Sequence, residues 1–130
     1  MKGIYCLVIT VKKDSTIEIG ASGSIHFVKG IYVYVGSAQN NIEKRVARHA
    51  SKNKKIKWHI DYLLAHSDVK LDKVFYKNAG KNEECETARL LSEFGEPVKR
   101  FGCSDCDCIS HLFRVRSLKT LNELEFKELI

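Results

Sequence analysis

Runs of β-branched and aromatic residues punctuated by glycine dominate the first part of the chain. Gly3 to Val11 and Ile31 to Val35 are two such runs, bounded by glycine and polar residues, which is typical of β-strands. Two shorter runs of the same kind lie between them, Thr16 to Ile19 and Ser24 to Val28. Because glycines separate these runs, the pattern predicts strands joined as an antiparallel meander.

The periodicity changes after Gly36, where small and apolar residues recur every three or four positions. Ile42, Val46, Ala47 and Ala50 follow this spacing, which predicts an amphipathic helix. The positions between them predict a polar and mostly cationic face, made of Glu43, Lys44, Arg45, Arg48 and His49.

Helical and extended patterns alternate through the rest of the chain. Helical spacing is found over Lys57 to Leu64 and from about Asn82 to Phe94, and strand-like runs over Lys70 to Lys77 and Leu112 to Arg116. The predicted fold class is α/β (α+β), with a small, mostly antiparallel central sheet flanked by helices. The length predicts a single domain over residues 1–130.

Composition narrows the class of protein. A hydrophobic content of 44% in 130 residues is enough for a modest core. No apolar run approaches the roughly 20 residues that cross a bilayer, and the N-terminus lacks the pattern of a secretory signal. The five cysteines, an odd number, favour reduced thiols over a disulfide framework. We therefore expect a soluble, intracellular, cytoplasmic protein with no membrane partner.

The positive charge is concentrated in one stretch. Residues 39–58 contain seven basic side chains and one acidic one, which accounts for the net charge of +6 of the whole chain. Such a block is expected where a protein binds the phosphate backbone of a nucleic acid. A lysine-rich, solvated surface is the alternative, since lysine clusters alone read no sequence. The predicted nucleic-acid contacts are Lys44, Arg48, Lys52, Lys54, Lys55 and Lys57.

Two tyrosines, an arginine and a histidine form a candidate catalytic set. If their strands are neighbours, Tyr5 and Tyr34 present two phenols to one cleft. A phenol has an ordinary pKa near 10, and an adjacent cation such as Arg45 is expected to lower it by favouring the charged form. His49, four residues after Arg45, shares its helical face and is placed to orient Tyr5 or relay its proton. The alternative is that both tyrosines are half-buried packing residues.

One carboxylate is the candidate metal ligand. Mg²⁺ needs only one or two protein carboxylates, because water and substrate oxygens complete its shell. Glu86 lies near the apolar face of the helix predicted from about Asn82, and Glu84 is its rival for this role. Glu83 fits a helix-start residue that complements the helix dipole.

The segment from Trp58 to Tyr62 carries two aromatics that either stack on unpaired bases or pack in the core. His59 and Asp61 are two apart and point in different directions on a helix, so they form no acid–base pair. We expect them to line the cleft or to tie this helix to the sheet.

The C-terminal part carries a further set of polar residues. Ser104, Asp105 and His111 are expected at the cleft. Three cysteines and a histidine also lie close together in this part of the chain, and both are residue types that bind zinc. Four ligands within nine residues are, however, closer together than structural zinc sites usually allow. We therefore expect no zinc at the set Cys103, Cys106, Cys108 and His111.

The order of these motifs along the chain resembles that of GIY-YIG nuclease domains, in particular the small standalone Uri-type endonucleases. The resemblance covers nearly the whole chain. It rests on Gly3-Ile4-Tyr5, Tyr34-Val35-Gly36-Ser37-Ala38, Arg45 with His49, Trp58-His59-Ile60-Asp61-Tyr62, Glu84-Cys85-Glu86, Ser104-Asp105-Cys106, Cys108 and Ser110-His111-Leu112-Phe113. The chain departs from that family in the separation of the two tripeptides, which is much longer here than the usual short hairpin.

The resemblance implies a DNA endonuclease that uses one Mg²⁺ or Mn²⁺ ion, with a place in DNA repair. It assigns catalysis to Tyr5, Tyr34 and Arg45, and it favours Glu86 over Glu84 as the metal ligand. One alternative is a non-catalytic nucleic-acid-binding module that assists a partner such as a DNA repair glycosylase, because similar domains are sometimes fused to such enzymes. A zinc-stabilised adaptor is a third class, and RNA stays an alternative substrate.

Overall fold

A computed structural model describes residues 3–38, 40–51, 56, 58–99, 101–102 and 109–129. Within these residues there are eight strands, four α-helices and one short 3-10 helix (Gly20–Ser22). The strands are β1 (Gly3–Val11), β2 (Ser15–Glu18), β3 (Ser24–Phe27), β4 (Gly30–Ala38), β5 (Val69–Lys77), β6 (Gly95–Pro97), β7 (Leu112–Val115) and β8 (Lys127–Glu128). The helices are α1 (Ile42–Ala50), α2 (His59–Leu64), α3 (Asn82–Leu91) and α4 (Lys119–Glu123).

Six strands form one antiparallel sheet in the order β6-β7-β4-β1-β5-β8. β1 is central and is buried on both faces, which explains why its sequence is a continuous apolar run. Its alternate residues serve two cores: Leu7 and Ile9 pack with α1 and α2 on one face, and Cys6 and Val8 pack with α3 and α4 on the other. The predicted α+β class is confirmed.

The segment between the two tyrosine strands forms a hairpin beside the sheet. β2 and β3 pair only with each other within the described residues, and β1 pairs directly with β4. The predicted meander is therefore wrong, although its strands exist. The hairpin stays apart because Ile17, Ile19 and Phe27 are buried against the same core as Leu7, so its apolar side already has a partner.

Two helices differ from their predicted patterns. α1 buries Ile42, Val46 and His49, while Ala47 and Ala50 are exposed. The placement of His49 on the polar face was therefore wrong, because its imidazole has a partner inside the protein.

α3 ends at Leu91 and buries Thr87, Ala88 and Leu91, so the prediction that it extends to Phe94 was wrong. Phe94 is 54% exposed and does not continue its packed face. None of the helices in the described residues is long and apolar enough to cross a membrane.

Candidate functional site

A cleft of about 790 Å³ opens where β4 ends and the helices α1, α2 and α3 begin. The antiparallel register opposes Tyr5 to Gly36 and Leu7 to Tyr34, so the two tyrosines lie on one face of neighbouring strands, two positions apart. This is the convergence that the sequence predicts. The polar side chains along the cleft are Tyr5, Tyr34, Ser37, Asn40, Asn41, Lys44, Arg45, Arg48, His59, Lys81, Glu84 and His111.

Tyr5 is a buried, hydrogen-bonded side chain of the cleft. It is 2% exposed, and its hydroxyl oxygen lies 2.9 Å from Nε2 of His49. Arg45 also hydrogen-bonds this hydroxyl. A guanidinium can only donate, so the Tyr5 oxygen accepts from Arg45, and its own proton is directed to Nε2 of His49 in the tautomer that carries its proton on Nδ1. The predicted contact between the tyrosine and the histidine is thus present in the fold.

Burial decides the protonation of both phenols. It raises the pKa of Tyr5 to about 12, even though the charge and hydrogen bond of Arg45 act to lower it. The pKa of Tyr34 is also raised by burial, and the neighbouring Tyr5 and Glu84 add to the shift. The expectation that Arg45 brings a phenol pKa below its ordinary value is therefore wrong. Both phenols are protonated at neutral pH.

Alkaline unfolding tests this pKa. A buried phenol with a folded-state pKa of about 12 favours folding fully below pH 10, and this contribution is lost as the pH rises from 10 towards 12. Raising the pH from 9 to 11 is expected to lower the unfolding free energy of wild type by about 1.4 kcal/mol more than that of Tyr5→Phe. Urea denaturation at both pH values measures this, and equal losses in the two proteins would contradict the buried, protonated phenol.

Tyr34 presents its hydroxyl to the cleft. It is partly exposed, and no hydrogen-bond partner of this hydroxyl is found among the described residues. Its ring is held by edge contacts with Phe101 at 6.1 Å and His49 at 6.4 Å between ring centroids. The hydroxyl is therefore positioned by packing and is available to a ligand.

Trp58 supports two arginines. The guanidinium carbons of Arg45 and Arg48 lie 4.8 and 4.3 Å from the centroid of its ring, within cation–π range. Arg45 also donates to the carbonyl oxygen of Ser37 at 3.3 Å. Trp58 is thus partly buried in contact with the arginines, and Arg45 is oriented into the cleft.

Asp61 has a structural position. Its side chain is fully buried and accepts two hydrogen bonds from Arg48, at 3.0 and 2.9 Å, and one from the backbone N–H of Trp58 at 2.9 Å. The expectation that Asp61 lines the cleft is therefore wrong, since it caps the start of α2 and ties this helix to α1. Arg48 reaches the cleft, but Asp61 balances its charge.

The remaining predicted nucleic-acid contacts divide into two groups. Lys44 is exposed and lines the cleft. Three further sets of predicted residues lie outside the described residues. They are the other basic residues of the block (Lys52, Lys54, Lys55 and Lys57), two residues expected at the cleft (Ser104 and Asp105), and the cysteines of the zinc alternative (Cys103, Cys106 and Cys108).

Glu84 is the carboxylate that lies in the cleft. Its side chain is 15% exposed, and one of its oxygens lies 3.2 Å from Nδ1 of His111, which is itself buried. Burial raises the pKa of Glu84, but hydrogen bonds from His111 and Ser37 outweigh it, and the pKa lies below its ordinary value. A fixed, ionised carboxylate therefore faces the cleft.

Glu86 lies outside this cleft. It is exposed, is paired with Arg89, whose Nε lies 3.3 Å away, and borders a separate groove beside Phe113. Two residues on a helix are separated by about 200° around its axis, so Glu84 and Glu86 point to opposite sides of α3. The structure does not bring Glu86 to the tyrosines, and its predicted placement was wrong. In the described part of the chain, no group of three or more His, Cys, Asp or Glu forms a metal site.

Sequence reasoning missed several residues of this region, among them Asn40 and Asn41, which line the cleft before α1. Ser37 directly follows Tyr34-Val35-Gly36, and Lys81 directly precedes α3, so proximity to recognised motifs was a usable signal. Phe101 is fully buried against Tyr34 and His59, and Gly102 donates its N–H to His59. No periodic pattern marks these last two.

Gly36 makes room for the Tyr5 ring. A Cβ atom on Gly36 would lie 2.5 Å from Cζ and the hydroxyl oxygen of Tyr5. We expect Gly36→Ala to displace the ring, to break its contact with His49, and to cost about 1–3 kcal/mol of unfolding free energy. Gly80→Ala is the matched control, because its Cβ meets only the amide oxygen of Asn82. Equal stability of the two variants in urea denaturation would contradict this packing.

The fold and cleft define an antiparallel α+β domain whose sheet places two tyrosines beside an arginine, a histidine and a carboxylate. Residues 4–129 match the model of the family described as domain of unknown function DUF123, and the chain belongs to this family. Neither a curated protein nor a solved structure gives a significant match.

Proposed function

We propose that this protein is a cytoplasmic, metal-dependent DNA endonuclease of the GIY-YIG kind, hydrolysing phosphodiester bonds in DNA repair. The observation that carries the proposal is the hydrogen-bonded set of Arg45, Tyr5 and His49 in one cleft with Tyr34 and Glu84. Phosphodiester hydrolysis needs a proton acceptor for the attacking water and positive charge for the phosphate oxygens. Each of these functions has a candidate side chain in the cleft.

The proton path runs from water through Tyr5 to His49. A phenol with a pKa of about 12 is a poor base by itself. In a concerted transfer the Tyr5 oxygen takes the proton of the water while its own proton passes to Nε2 of His49, which lies 2.9 Å from that oxygen, so the phenol never carries a full charge. The water oxygen bonds to phosphorus as the bond to the leaving oxygen breaks, and that oxygen takes a proton from solvent. His49 is the net base.

Arg45 and Tyr34 position the phosphate. The guanidinium of Arg45, supported by Trp58 and the carbonyl of Ser37, stabilises the charge that develops on the phosphate oxygens. The Tyr34 hydroxyl, held by Phe101, donates to a phosphate oxygen or to the attacking water. Lys44 and Lys81, both exposed at the cleft, attract the DNA backbone.

Glu84 is the proposed ligand of one Mg²⁺ or Mn²⁺ ion. The fit rests on its carboxylate, which is ionised and is fixed by His111 and Ser37. A magnesium ion accepts a single protein carboxylate when water and phosphate oxygens complete its shell. When bound, the ion supplies Lewis-acid stabilisation of the phosphate.

A second candidate is a nucleic-acid-binding module that assists a DNA repair glycosylase. The raised pKa values of both phenols favour it, because neither is a base without help. RNA is the alternative ligand for either function.

Cleavage assays separate the two candidates. Wild type is incubated with nicked, flapped and intact DNA in Mg²⁺, Mn²⁺ or EDTA, beside Arg45→Met and the control Arg89→Met, which changes an exposed arginine outside the cleft. We expect metal-dependent cleavage by wild type and the control, and a loss of roughly 10²–10³-fold in Arg45→Met. If wild type retards every substrate in a gel but leaves it whole, the binding module is correct.

A further inference from the structure

His59 has a fixed tautomer. Its Nδ1 lies 3.1 Å from the backbone nitrogen of Gly102, in a hydrogen bond. A backbone N–H can only donate, so Nδ1 accepts and carries no proton. In the neutral ring the proton is therefore on Nε2.

His59 lines the cleft, and its Nε2–H points towards the segment Gly20–Ser22, which does not line the cleft. Its partner there is the hydroxyl of Ser22, an exposed residue, at 3.5 Å. That distance is at the outer limit of a hydrogen bond. An oxygen of a ligand that extends past the edge of the cleft can replace Ser22 at little cost.

The ring of His59 is anchored to the structure that holds Tyr34. Phe101 contacts His59 at 5.6 Å and Tyr34 at 6.1 Å between ring centroids. Gly102 has a φ of 73° and donates its N–H to Nδ1 of His59. A Cβ atom added at Gly102 would lie only 3.2 Å from Cε1 of Tyr34. The donor therefore keeps a set position relative to the proposed catalytic tyrosine.

We propose that His59 binds a phosphate oxygen of the nucleic-acid strand, next to the scissile phosphate, as a neutral hydrogen-bond donor through Nε2. The inference deepens the proposed function and rests on it. Phosphate oxygens only accept hydrogen bonds, and a donor without charge fixes the register of the strand. Lys44 and Lys81 at the same cleft supply the charge.

Two substitutions of His59 test the donor. Glutamine offers an amide oxygen for Gly102 and an N–H in place of Nε2–H, whereas phenylalanine keeps only the contact with Phe101. We expect His59→Gln to keep the wild-type KM within about twofold, and His59→Phe to raise KM roughly 10-fold at little change in kcat, as for loss of a hydrogen bond to a charged group. If glutamine fails as badly as phenylalanine, the neutral donor is wrong.

Salt dependence provides a readout that does not require cleavage. DNA affinity is measured in EDTA at several salt concentrations for wild type, His59→Phe and Lys44→Met. A neutral donor leaves the slope of log affinity against log salt unchanged, while loss of a lysine–phosphate contact reduces it by about one. A reduced slope in His59→Phe would show that His59 binds as a cation and would overturn the proposal.

Failure of the inference is distinguishable from failure of the nuclease proposal. If wild type cuts no DNA, the nuclease proposal fails and the affinity of His59→Phe still decides the role of His59. If wild type cuts DNA and His59→Phe matches it in KM and affinity, only the inference fails.

Ser22→Ala guards against misfolding at His59, because it keeps the ring and removes the competing hydroxyl. Its affinity is expected to equal or exceed that of wild type, and weaker binding counts against the proposal.

Discussion

Glu84→Gln is expected to abolish Mn²⁺-dependent DNA cleavage, lowering kcat by about 10³-fold, while Glu86→Gln cleaves as wild type does. The two glutamates are two positions apart on α3, but only Glu84 faces the cleft. Glutamine keeps the size of the side chain and its hydrogen bonding to Ser37, and it removes the charge that a divalent cation needs. The measured quantity is single-turnover cleavage of labelled DNA across a Mn²⁺ titration.

Glu86→Gln is the matched control because it changes an exposed carboxylate paired only with Arg89 among the contacts that the structure describes. Calorimetric titration of Mn²⁺ with each variant bound to DNA separates metal binding from catalysis. Loss of metal binding in Glu84→Gln alone supports the assignment. If Glu86→Gln loses cleavage and Glu84→Gln retains it, the metal ligand is outside the cleft and the proposed site is incorrect.

His49→Gln is expected to change the pH dependence of cleavage as well as its rate. With His49 as the net base, the wild-type rate rises with pH until the imidazole of His49 has lost its proton and then levels off. Without it, proton transfer must end on Tyr5, whose pKa is about 12. The rate of the variant is expected to fall by roughly 10²–10⁴-fold at neutral pH and to rise about tenfold per pH unit up to pH 9.

His26→Gln is the control for this experiment. His26 is exposed on β3, where it contacts Thr16 and lies outside the cleft. Its pH–rate profile should match that of wild type. A His49→Gln profile that levels off where the wild-type profile does would show that another group accepts the proton, and the relay through Tyr5 would then be rejected.

Local periodicity was sufficient to predict most elements of this fold, but not the short edge strands β6 and β8 or the end of α3. Runs of β-branched and aromatic residues placed Tyr5 and Tyr34 on strands, and three- and four-residue spacing located α1, α2 and α3. Long-range packing was not predictable in the same way. Nothing in the run from Thr16 to Val28 shows that its apolar side packs onto the sheet face and leaves β1 paired with β4.

The candidate site was likewise predictable only where it depends on local sequence patterns. The strand runs and helix spacing that carry Tyr5, Tyr34, Arg45 and His49 are local and were predictable, whereas the direct pairing of β1 with β4 that aligns the two tyrosines is long-range and was not. The choice between Glu84 and Glu86 depended on the rotation of α3 about its axis, and polar residues on both sides of that helix left the rotation open. The pKa of Tyr5 depended on how deeply the ring is buried, a quantity that sequence spacing does not contain.

The hairpin of β2 and β3 is separate from the strands that align the two tyrosines. The two tyrosines are aligned by the direct pairing of β1 with β4, so the length of the intervening loop does not alter their spacing. At the same time the hairpin contacts the cleft edge through Ser22 and the aromatic cluster through Phe27 and Phe101. An insertion of a different length between β1 and β4 would therefore leave the two tyrosines in place and change only the surface beside the cleft.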